Sequence, residues 1–503
     1  MNASENNISS QPENNERQSA NWDLRYAVRN YSTLVVTQII SAFFSFASVW
    51  IATRYLGTEG YGGIVAVIAA SQVAQIFVNW TCVSLARYGV QEFVEAGNIS
   101  KSFWARTLIF LPNTIIFFAL SFLWLPILSK WLKLPPEAAW FVAAHFLAAA
   151  VWAHIQHAIQ GAKLPRLQGI LLAIERFLIF SILLILALSG TINYLSAIAA
   201  YIFAPLLMAL IGLFQIHKFV SWRINFDWNW AKKMLKFSIP LIPFSLIGYF
   251  STNYLDAIFI SQYLSKADLG IYSVAYQFNG ILMQFPTLAG SLLLPLFVTL
   301  QTTQNIEKVK LYMEDILPLL TLAGGLFGIC TAVLMKIFIP LVFGAELNQS
   351  VIVFWILVSS TAFVIPGVIG YAPYLNSFSA TYVATIMAIV AAVVNFAANF
   401  LLIPRYGLKG CAWATVLAYG ASTLVVIFIT NRWFSLKHKW TLPAALPALV
   451  GSAYASWTEN LLMAFLLAFL TAFGIVLVYR KSFVEAFRLL INYRRLVGKE
   501  SSS

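Results

Sequence analysis

The sequence predicts an all-α polytopic membrane protein of about 14 transmembrane helices, in two pseudo-symmetric six-helix lobes followed by a C-terminal helix pair. Apolar residues make up 60% of the 503 residues, charged residues make up 10%, and the mean hydropathy is +0.78. A soluble core would not use this much apolar surface. The apolar residues are also gathered into long stretches, and a short turn sequence recurs after the first and the seventh of them.

The apolar stretches are long enough to cross a bilayer. A hydrocarbon core about 30 Å thick needs roughly 20 helical residues, because only a helix or a closed barrel satisfies every backbone group in lipid. Short polar connections separate spans one to fourteen, which we place near residues 31–53, 62–84, 107–128, 138–159, 169–189, 194–216, 238–262, 270–298, 315–342, 350–371, 382–403, 410–430, 441–456 and 460–479.

The distribution of basic residues predicts the orientation. If the amino terminus is cytoplasmic, the two tails and the alternate connections on that side hold 25 of the 32 Lys and Arg residues, and the opposite side holds 7 (25 + 7 = 32). This asymmetry follows the positive-inside rule, so both termini are expected in the cytoplasm. The net charge of +13 is therefore topological and does not indicate nucleic-acid binding.

The spans and connections divide the chain into six parts. We expect a disordered cytoplasmic tail (1–24), an N-lobe of spans one to six (25–217), an interfacial amphipathic linker (218–237), a C-lobe of spans seven to twelve (238–430), spans thirteen and fourteen (431–479), and a basic amphipathic cytoplasmic tail (480–503). Tryptophans and lysines flanking apolar residues in the linker are typical of a helix lying at the headgroup level.

A repeat relates the two lobes. Residues 55–62 and 263–270 align at a constant offset of 208, each closing the first helix of a six-helix set. Amides lie on matching faces of the second helices, where span two carries Gln72 and Asn79 and span eight carries Gln277 and Gln284. Such amides either bond to a neighbouring helix or line a shared hydrated cavity between the repeats.

Three segments carry a resemblance to a known family: residues 54–62 (RYLGTEGYG), 256–260 (DAIFI) with 269–273 (LGIYS), and 404–410 (PRYGLKG). They are similar to the recurring signatures of polysaccharide flippases in the multidrug/oligosaccharidyl-lipid/polysaccharide (MOP) exporter superfamily. The resemblance implies alternating access that moves an undecaprenyl-diphosphate-linked oligosaccharide from the cytoplasmic to the outer leaflet. It further implies the bacterial cytoplasmic (inner) membrane, surface polysaccharide such as O-antigen of lipopolysaccharide, and a glycan polymerase as partner.

This function would require cations for the diphosphate, because an anion must cross a region of low dielectric and a guanidinium grips phosphate oxygens with two hydrogen bonds. The candidates are Arg29 where span one begins, Arg87 where span two ends and Arg176 in span five, with Arg25 and Arg106 as further members. Each is expected near the cytoplasmic end of its helix, so an ordinary positive-inside flank is the alternative.

Asp256 is an unmatched carboxylate about seven residues before the end of span seven, with Asn253 on the same face. Its equivalent at the offset of 208 is Ser48. A carboxylate at this depth is costly and is a functional candidate by default. It could bind a coupling proton or sodium ion, form a gating salt bridge to the other lobe, or have a solvated structural role.

Two other functions compete with the flippase. A cation-coupled multidrug exporter of the same superfamily would share the architecture, and a membrane glycan polymerase or ligase would act on the same glycans. The polymerase or ligase would need catalytic groups, and the short outer connections argue against this enzyme. No catalytic residue, cofactor or nucleotide-binding loop is predicted. A metal site is not expected either, because His145, His154 and His157 lack a completing ligand.

Overall fold

The computed structural model describes residues 11–223, 227–239, 242, 253–302, 304–378 and 380–485, with side chains from Thr33 onward. The side chains of residues 253, 254, 288, 291, 292, 294–296, 299, 302 and 381 are not described. The α-helices are α1 (Gln11–Asn79), α2 (Cys82–Ala96), α3 (Ser100–Ala119), α4 (Ser121–Trp131), α5 (Pro136–Gly161), α6 (Pro165–Leu188), α7 (Tyr194–Ile216), α8 (Trp228–Ser238), α9 (Asn253–Tyr263), α10 (Lys266–Thr302), α11 (Ile306–Leu311), α12 (Leu317–Phe343), α13 (Asn348–Pro366), α14 (Ala372–Ser377), α15 (Thr381–Phe434), α16 (Leu446–Thr458) and α17 (Leu461–Val478).

The predicted fold class is confirmed. Within the described ranges, 9 helical segments are long and apolar enough to cross a membrane. Two of them, of 47 and 53 residues, are bent at a glycine and hold two spans each, which gives 9 + 2 = 11. Helices α9, α10 and α16 correspond to spans seven, eight and thirteen, which brings the total to 14.

The two bends lie in the signature segments. Gly57 in α1 has φ 70° and Gly407 in α15 has φ 57°. Glycine adopts this left-handed region without the steric cost that a Cβ brings. Each glycine therefore lets one helix end and the next begin within a single residue, so the spans on either side are antiparallel neighbours.

Short helices interrupt the regular pattern at the ends of spans. Tyr312–Ile316 and Gly367–Tyr371 are π-helical turns that join α11 to α12 and α13 to α14. They face one another, since the Tyr312 hydroxyl donates to the Ile369 carbonyl at 2.7 Å. Three 3₁₀ turns, His217–Phe219, Ala345–Leu347 and Pro443–Ala445, complete the described elements.

Helix α8 lies in the expected interfacial linker. Asp227 caps its first turn by accepting from the backbone N–H groups of Asn229 and Trp230 at 2.9 and 3.2 Å. The Trp230 indole donates to the Ser102 hydroxyl at 2.9 Å, which fixes α8 against the start of α3. The first helix begins at Gln11, inside the segment expected as a tail, and residues 486–503 of the C-terminal tail lie outside the described residues.

The lobes meet at the end of the bundle that carries the Gly57 turn, called the Gly57 end below. Gly62 and Gly270, which are equivalent at the offset of 208, lie in this contact. A Cβ on Gly62 would be 1.8 Å from the Lys266 carbonyl oxygen, and one on Gly270 would be 2.2 Å from the Thr58 carbonyl oxygen. Only glycine permits this approach of the two backbones.

Candidate substrate cavity and cation site

A cavity of about 450 Å³ lies between the lobes. Its walls come from α1 and α6 of the N-lobe and from α10 of the C-lobe. A second cavity of about 280 Å³ shares part of this lining, including Arg176 and Gln277. The polar side chains around the larger cavity are Gln38, Ser41, Ser45, Tyr61, Arg176, Ser273, Tyr276, Gln277 and Gln284.

Arg176 is the single charged side chain among the described residues that line these two cavities. Its position corrects the expectation that it lies near the cytoplasmic end of its helix. Because α6 begins at Pro165, Arg176 is 11 residues (176 − 165) from one end of α6 and 12 (188 − 176) from the other. At 1.5 Å per residue this is roughly 17 Å from each end, close to the middle of a bilayer.

The neighbouring carboxylate does not neutralise Arg176. Glu175 is buried and accepts from the Trp152 indole at 2.8 Å. Adjacent residues on a helix point about 100° apart, so Glu175 packs against α5 while Arg176 faces the cavity. The described ion pairs include none to Arg176.

The predicted amides are divided between two places. Gln277 and Gln284 line the cavity, and the Tyr61 hydroxyl donates to Gln277 Oε1 at 3.4 Å across the lobe boundary. Gln72 and Asn79 are not among the described residues of the lining. The Asn79 amide donates instead to Gln75 Oε1 at 3.0 Å on its own helix.

The other predicted cations lie elsewhere. Arg87 is exposed on α2, with its guanidinium 4.5 Å from the ring centre of Phe237 in α8. Arg106 is fully buried in the N-lobe, donates to Cys82 Sγ at 2.9 Å and bonds to His154. The side chains of Arg25 and Arg29 lie outside those described.

Asp256 is at the centre of a buried polar cluster in the C-lobe, with 2% of its surface exposed. Its carboxylate accepts from the Tyr272 hydroxyl at 2.5 Å, the Asn399 amide at 2.8 Å and the Thr415 hydroxyl at 3.2 Å. No Lys or Arg forms an ion pair with it in the described part of the chain. The Asn253 side chain is outside the described set.

The cluster presents a set of oxygens that suits a small hard cation. Asn395 Oδ1 accepts from the Asn399 amide at 3.0 Å, and Asn399 Oδ1 is buried without a partner among the described residues. A space of about 10 Å³ touches Asp256, Asn395 and Thr415, which is close to the smallest volume that holds one water or one small ion. Carboxylate, amide and hydroxyl oxygens are ligands that hard cations prefer.

Sequence reasoning missed most of this cluster. Asn395 and Asn399 are four apart in the apolar span eleven, which is a signal that could have indicated them. Tyr272 belongs to a signature segment, but its partner is not readable from the pattern. The missed lining residues of the cavity, such as Gln38 and Ser41, lie on the face of span one that turns toward the C-lobe.

The geometry defines a class of protein: a multi-pass membrane transporter with a polar cavity between two related lobes. The family model described as polysaccharide biosynthesis protein matches residues 27–301. The chain therefore belongs to this polysaccharide biosynthesis family, and the resemblance to polysaccharide flippases of the MOP superfamily is confirmed.

Curated relatives match part of the chain. The probable low-salt glycan biosynthesis flippase Agl15 of Haloferax volcanii is 23% identical over 214 residues, which is 42% of this chain and 44% of that protein. The uncharacterized membrane protein MJ1068 of Methanocaldococcus jannaschii is 24% identical over 285 residues, 52% of this chain and 53% of that protein. The chain thus spans about half the length of the curated relatives it matches.

Solved structures share the fold over most of the chain. An inward closed conformation of the lipid II flippase MurJ superposes with a TM-score of 0.67 and 15% identity, covering 89% of this chain and 99% of that one. An inward-facing multidrug resistance MATE family transporter of the MOP superfamily gives a TM-score of 0.60 and 13% identity, covering 80% and 98%. At these identities the likeness concerns the fold alone.

Proposed function

We infer that this protein is a flippase that moves a polyprenyl-diphosphate-linked oligosaccharide across the cytoplasmic membrane by alternating access, for surface polysaccharide synthesis. The observation that carries the proposal is Arg176, a cation at the middle of α6 that lines the interlobe cavity without an acidic partner in the described residues. A charge near the middle of the bilayer is costly, so an unpaired, half-buried guanidinium at this depth favours an anionic ligand.

The rest of the cavity suits the remainder of such a lipid. Gln277 and Gln284 offer amide donors and acceptors to sugar hydroxyls, and the serines of α1 add more. The planar fork of an arginine suits a diphosphate, while a glycan is bound by many neutral hydrogen bonds. Both requirements are met within one cavity.

The multidrug exporter is the competing candidate, because the MATE transporter shares the fold. A cavity for cationic drugs would be expected to carry an acidic side chain. The described lining of the two cavities contains no Asp or Glu and one Arg. This charge favours the lipid-linked diphosphate.

Asp256 supports the second part of the proposal, coupling to a cation. Its carboxylate has three hydrogen-bond donors from within the C-lobe and no described basic partner, which argues against a gating salt bridge and against a solvated structural role. A proton or a sodium ion bound there would supply the missing positive charge.

We propose that both termini are cytoplasmic, as the distribution of basic residues predicts.

The proposal is tested by measuring lipid translocation by the protein reconstituted in vesicles. The purified protein is placed in vesicles with a fluorescent polyprenyl-diphosphate glycan in one leaflet, and its arrival in the other leaflet is followed. Arg176→Gln should lower flux at least about tenfold, since a charge-assisted bidentate contact is lost, and Arg176→Lys should lower it less.

Arg87→Gln is the matched control, because it removes the same charge from an arginine that is exposed on α2 and away from the cavity lining. It should transport like the unmodified protein. Normal flux in Arg176→Gln, or transport of hydrophobic cations without any flux of the lipid, would contradict the proposed function.

A further inference from the structure

A second polar cavity, of about 380 Å³, opens in the C-lobe at the Gly57 end and is separate from the interlobe cavity. We call it the C-lobe pocket. Its polar side chains are Asp268, Asn348, Gln349, Tyr406, Lys409 and Glu459, and they come from four different connections between spans. Its volume falls in the range typical of small-ligand sites, about 300–1,000 Å³.

The pocket combines a polar rim with an apolar floor. Leu264, Ile352, Val353 and Leu408 form the apolar part. No hydrogen bond within the described residues involves the side chains of Asn348, Gln349 or Tyr406, so their donors and acceptors are available to a ligand. Asp268 uses Oδ2 to accept from the Ser265 backbone and hydroxyl at 3.0 and 2.6 Å, which leaves Oδ1 for the pocket.

The charges of the pocket disfavour two other classes of ligand, anions and divalent cations. Lys409 Nζ is 2.7 Å from Glu459 Oε1 and also donates to the Ser456 carbonyl at 3.0 Å. With Asp268 and Glu459 against Lys409, the formal charge is −1, which opposes a diphosphate or another anion. The ammonium group beside Glu459 opposes a divalent cation, so a neutral ligand with many hydroxyl groups fits best.

The position of the pocket links it to the transport path. Asp268 lies two residues before Gly270, in the first turn of α10, and Gly270 is part of the backbone contact that closes the Gly57 end. Access to the interlobe cavity from this end requires that contact to open. Asp268, on the wall of the C-lobe pocket, therefore lies beside the contact at which a ligand would leave the cavity at this end.

We propose that the C-lobe pocket is a glycan-binding exit subsite, which holds one or two sugar units of the oligosaccharide at the Gly57 end. Tyr406, a residue that is 63% exposed, offers its ring to an apolar sugar face, and the amides and carboxylates bind hydroxyl groups. The inference rests on the proposed function for the identity of the glycan, and the binding itself is measured apart from transport.

The probe is the oligosaccharide released by mild acid from the polyprenyl-diphosphate pool of the native cells. Saturation-transfer NMR on the purified full-length protein should show transfer to sugar protons. Tyr406→Ala and Gln349→Ala should each weaken binding about fivefold, the loss expected when one ligand contact is removed. Both residues are exposed, so neither change removes core packing.

Glu346→Gln is the control, since Glu346 is exposed on the same connection as Gln349 but is not part of the pocket. It should bind the oligosaccharide like the unmodified protein, and inorganic pyrophosphate should not displace the sugar. Absence of saturation transfer, equal binding in all variants, or displacement by pyrophosphate would overturn the inference.

Transport separates this inference from the proposed function. Arg176→Gln should lose flux and keep oligosaccharide binding in the C-lobe pocket. If the unmodified protein shows no flux but binds the oligosaccharide through Tyr406 and Gln349, the proposed function fails and the exit subsite stands. If flux is normal and no oligosaccharide binds, the exit subsite fails alone.

Discussion

Asp256 is held by donors that come from distant parts of the chain. Asn399 is 143 residues away and Thr415 is 159 residues away. The sequence predicted a costly carboxylate in span seven, because charge within an apolar stretch can be read locally. The partners could not be predicted, since hydropathy does not show which face of span eleven or twelve turns toward span seven.

Asp256→Asn tests the cation role. The amide keeps the size of the side chain and can still accept from Tyr272, but it removes the negative charge. We expect flux driven by a sodium or proton gradient to fall at least about tenfold, while insertion and folding persist because a buried charge is removed rather than stranded. A cation that binds only the folded protein also raises the temperature at which the protein unfolds. The midpoint of thermal unfolding therefore gives a second measurement of cation binding.

Sodium titration of thermal unfolding supplies that second measurement. A rise in the midpoint in the unmodified protein that is absent in Asp256→Asn would identify sodium as the bound ion. Glu307→Gln makes the same charge change on an exposed residue and should leave flux unchanged. Normal flux in Asp256→Asn under both gradients would remove Asp256 from the mechanism.

Arg106 shows that the position of a basic residue in the sequence does not predict whether its side chain is buried. The sequence treats it as a cation at the start of span three, yet it is 0% exposed and its guanidinium is 5.0 Å from the ring centre of Phe110. Helices α2 and α8 pack against α3 and α5 packs against α2, and these neighbours enclose Arg106. The positive-inside rule assigns a side of the membrane, but it does not say whether a residue faces water or protein.

At the scale of elements, the sequence was most reliable where the chain turns sharply. Residues 54–62 and 404–410 each contain one of the five glycines with positive φ in the described residues, and tight turns select glycine because it has no Cβ to clash. Helix α2 was not predicted as a separate helix, because the bend after Asn79 is marked by neither Gly nor Pro. Helix α8 lies in the segment that the tryptophans and lysines predict to be an interfacial helix, and its location at the interface stays a prediction.

The segment after α15 is anchored by a histidine, which gives the fold a pH dependence. His438 Nδ1 is 3.1 Å from the Tyr371 hydroxyl and Nε2 is 2.9 Å from the Thr430 hydroxyl, so the imidazole joins two helices to the connection. Burial lowers the pKa of the His438 imidazole from 6.5 to about 4. The neutral imidazole is therefore the form that the folded state favours.

Because the folded pKa of His438 is below its unfolded value, its contribution to stability is present above pH 6.5 and is lost as the pH falls toward 4. We expect the thermal denaturation midpoint of the unmodified protein to decrease when the pH is lowered from about 7.5 to about 5. The midpoint of His438→Asn should decrease less over the same change in pH. His217→Asn, an exposed change on the short turn after α7, is the control. Equal pH slopes in all three proteins would contradict this role.

At the scale of the whole molecule, the pseudo-symmetry explains how the interlobe cavity is closed at one end. Equivalent glycines from the two repeats meet, and further bonds cross the lobe boundary nearby. The Lys133 ammonium donates to the carbonyls of Gln262 and Leu264 at 3.1 and 3.2 Å, and the Trp50 indole donates to the Val342 carbonyl at 2.8 Å. The repeat was readable from the sequence, but this backbone contact was not, since it depends on how closely the lobes approach.

Gly62→Ala should weaken this closure. The added Cβ would lie 1.8 Å from the Lys266 carbonyl oxygen, a backbone atom that cannot swing aside, so the lobes must separate or shift. In alternating access, a mutation that destabilises the closed state shifts the population toward opening at the Gly57 end. A reporter cysteine at the cavity-lining Ser273 should then react faster with an impermeant maleimide added from that side, and flux should fall. Gly474→Ala, whose Cβ would meet nothing within 4 Å, should change neither measurement. If Gly62→Ala labels and transports like the unmodified protein, the glycine contact does not control access to the cavity, and closure must depend on the side-chain bonds between the lobes.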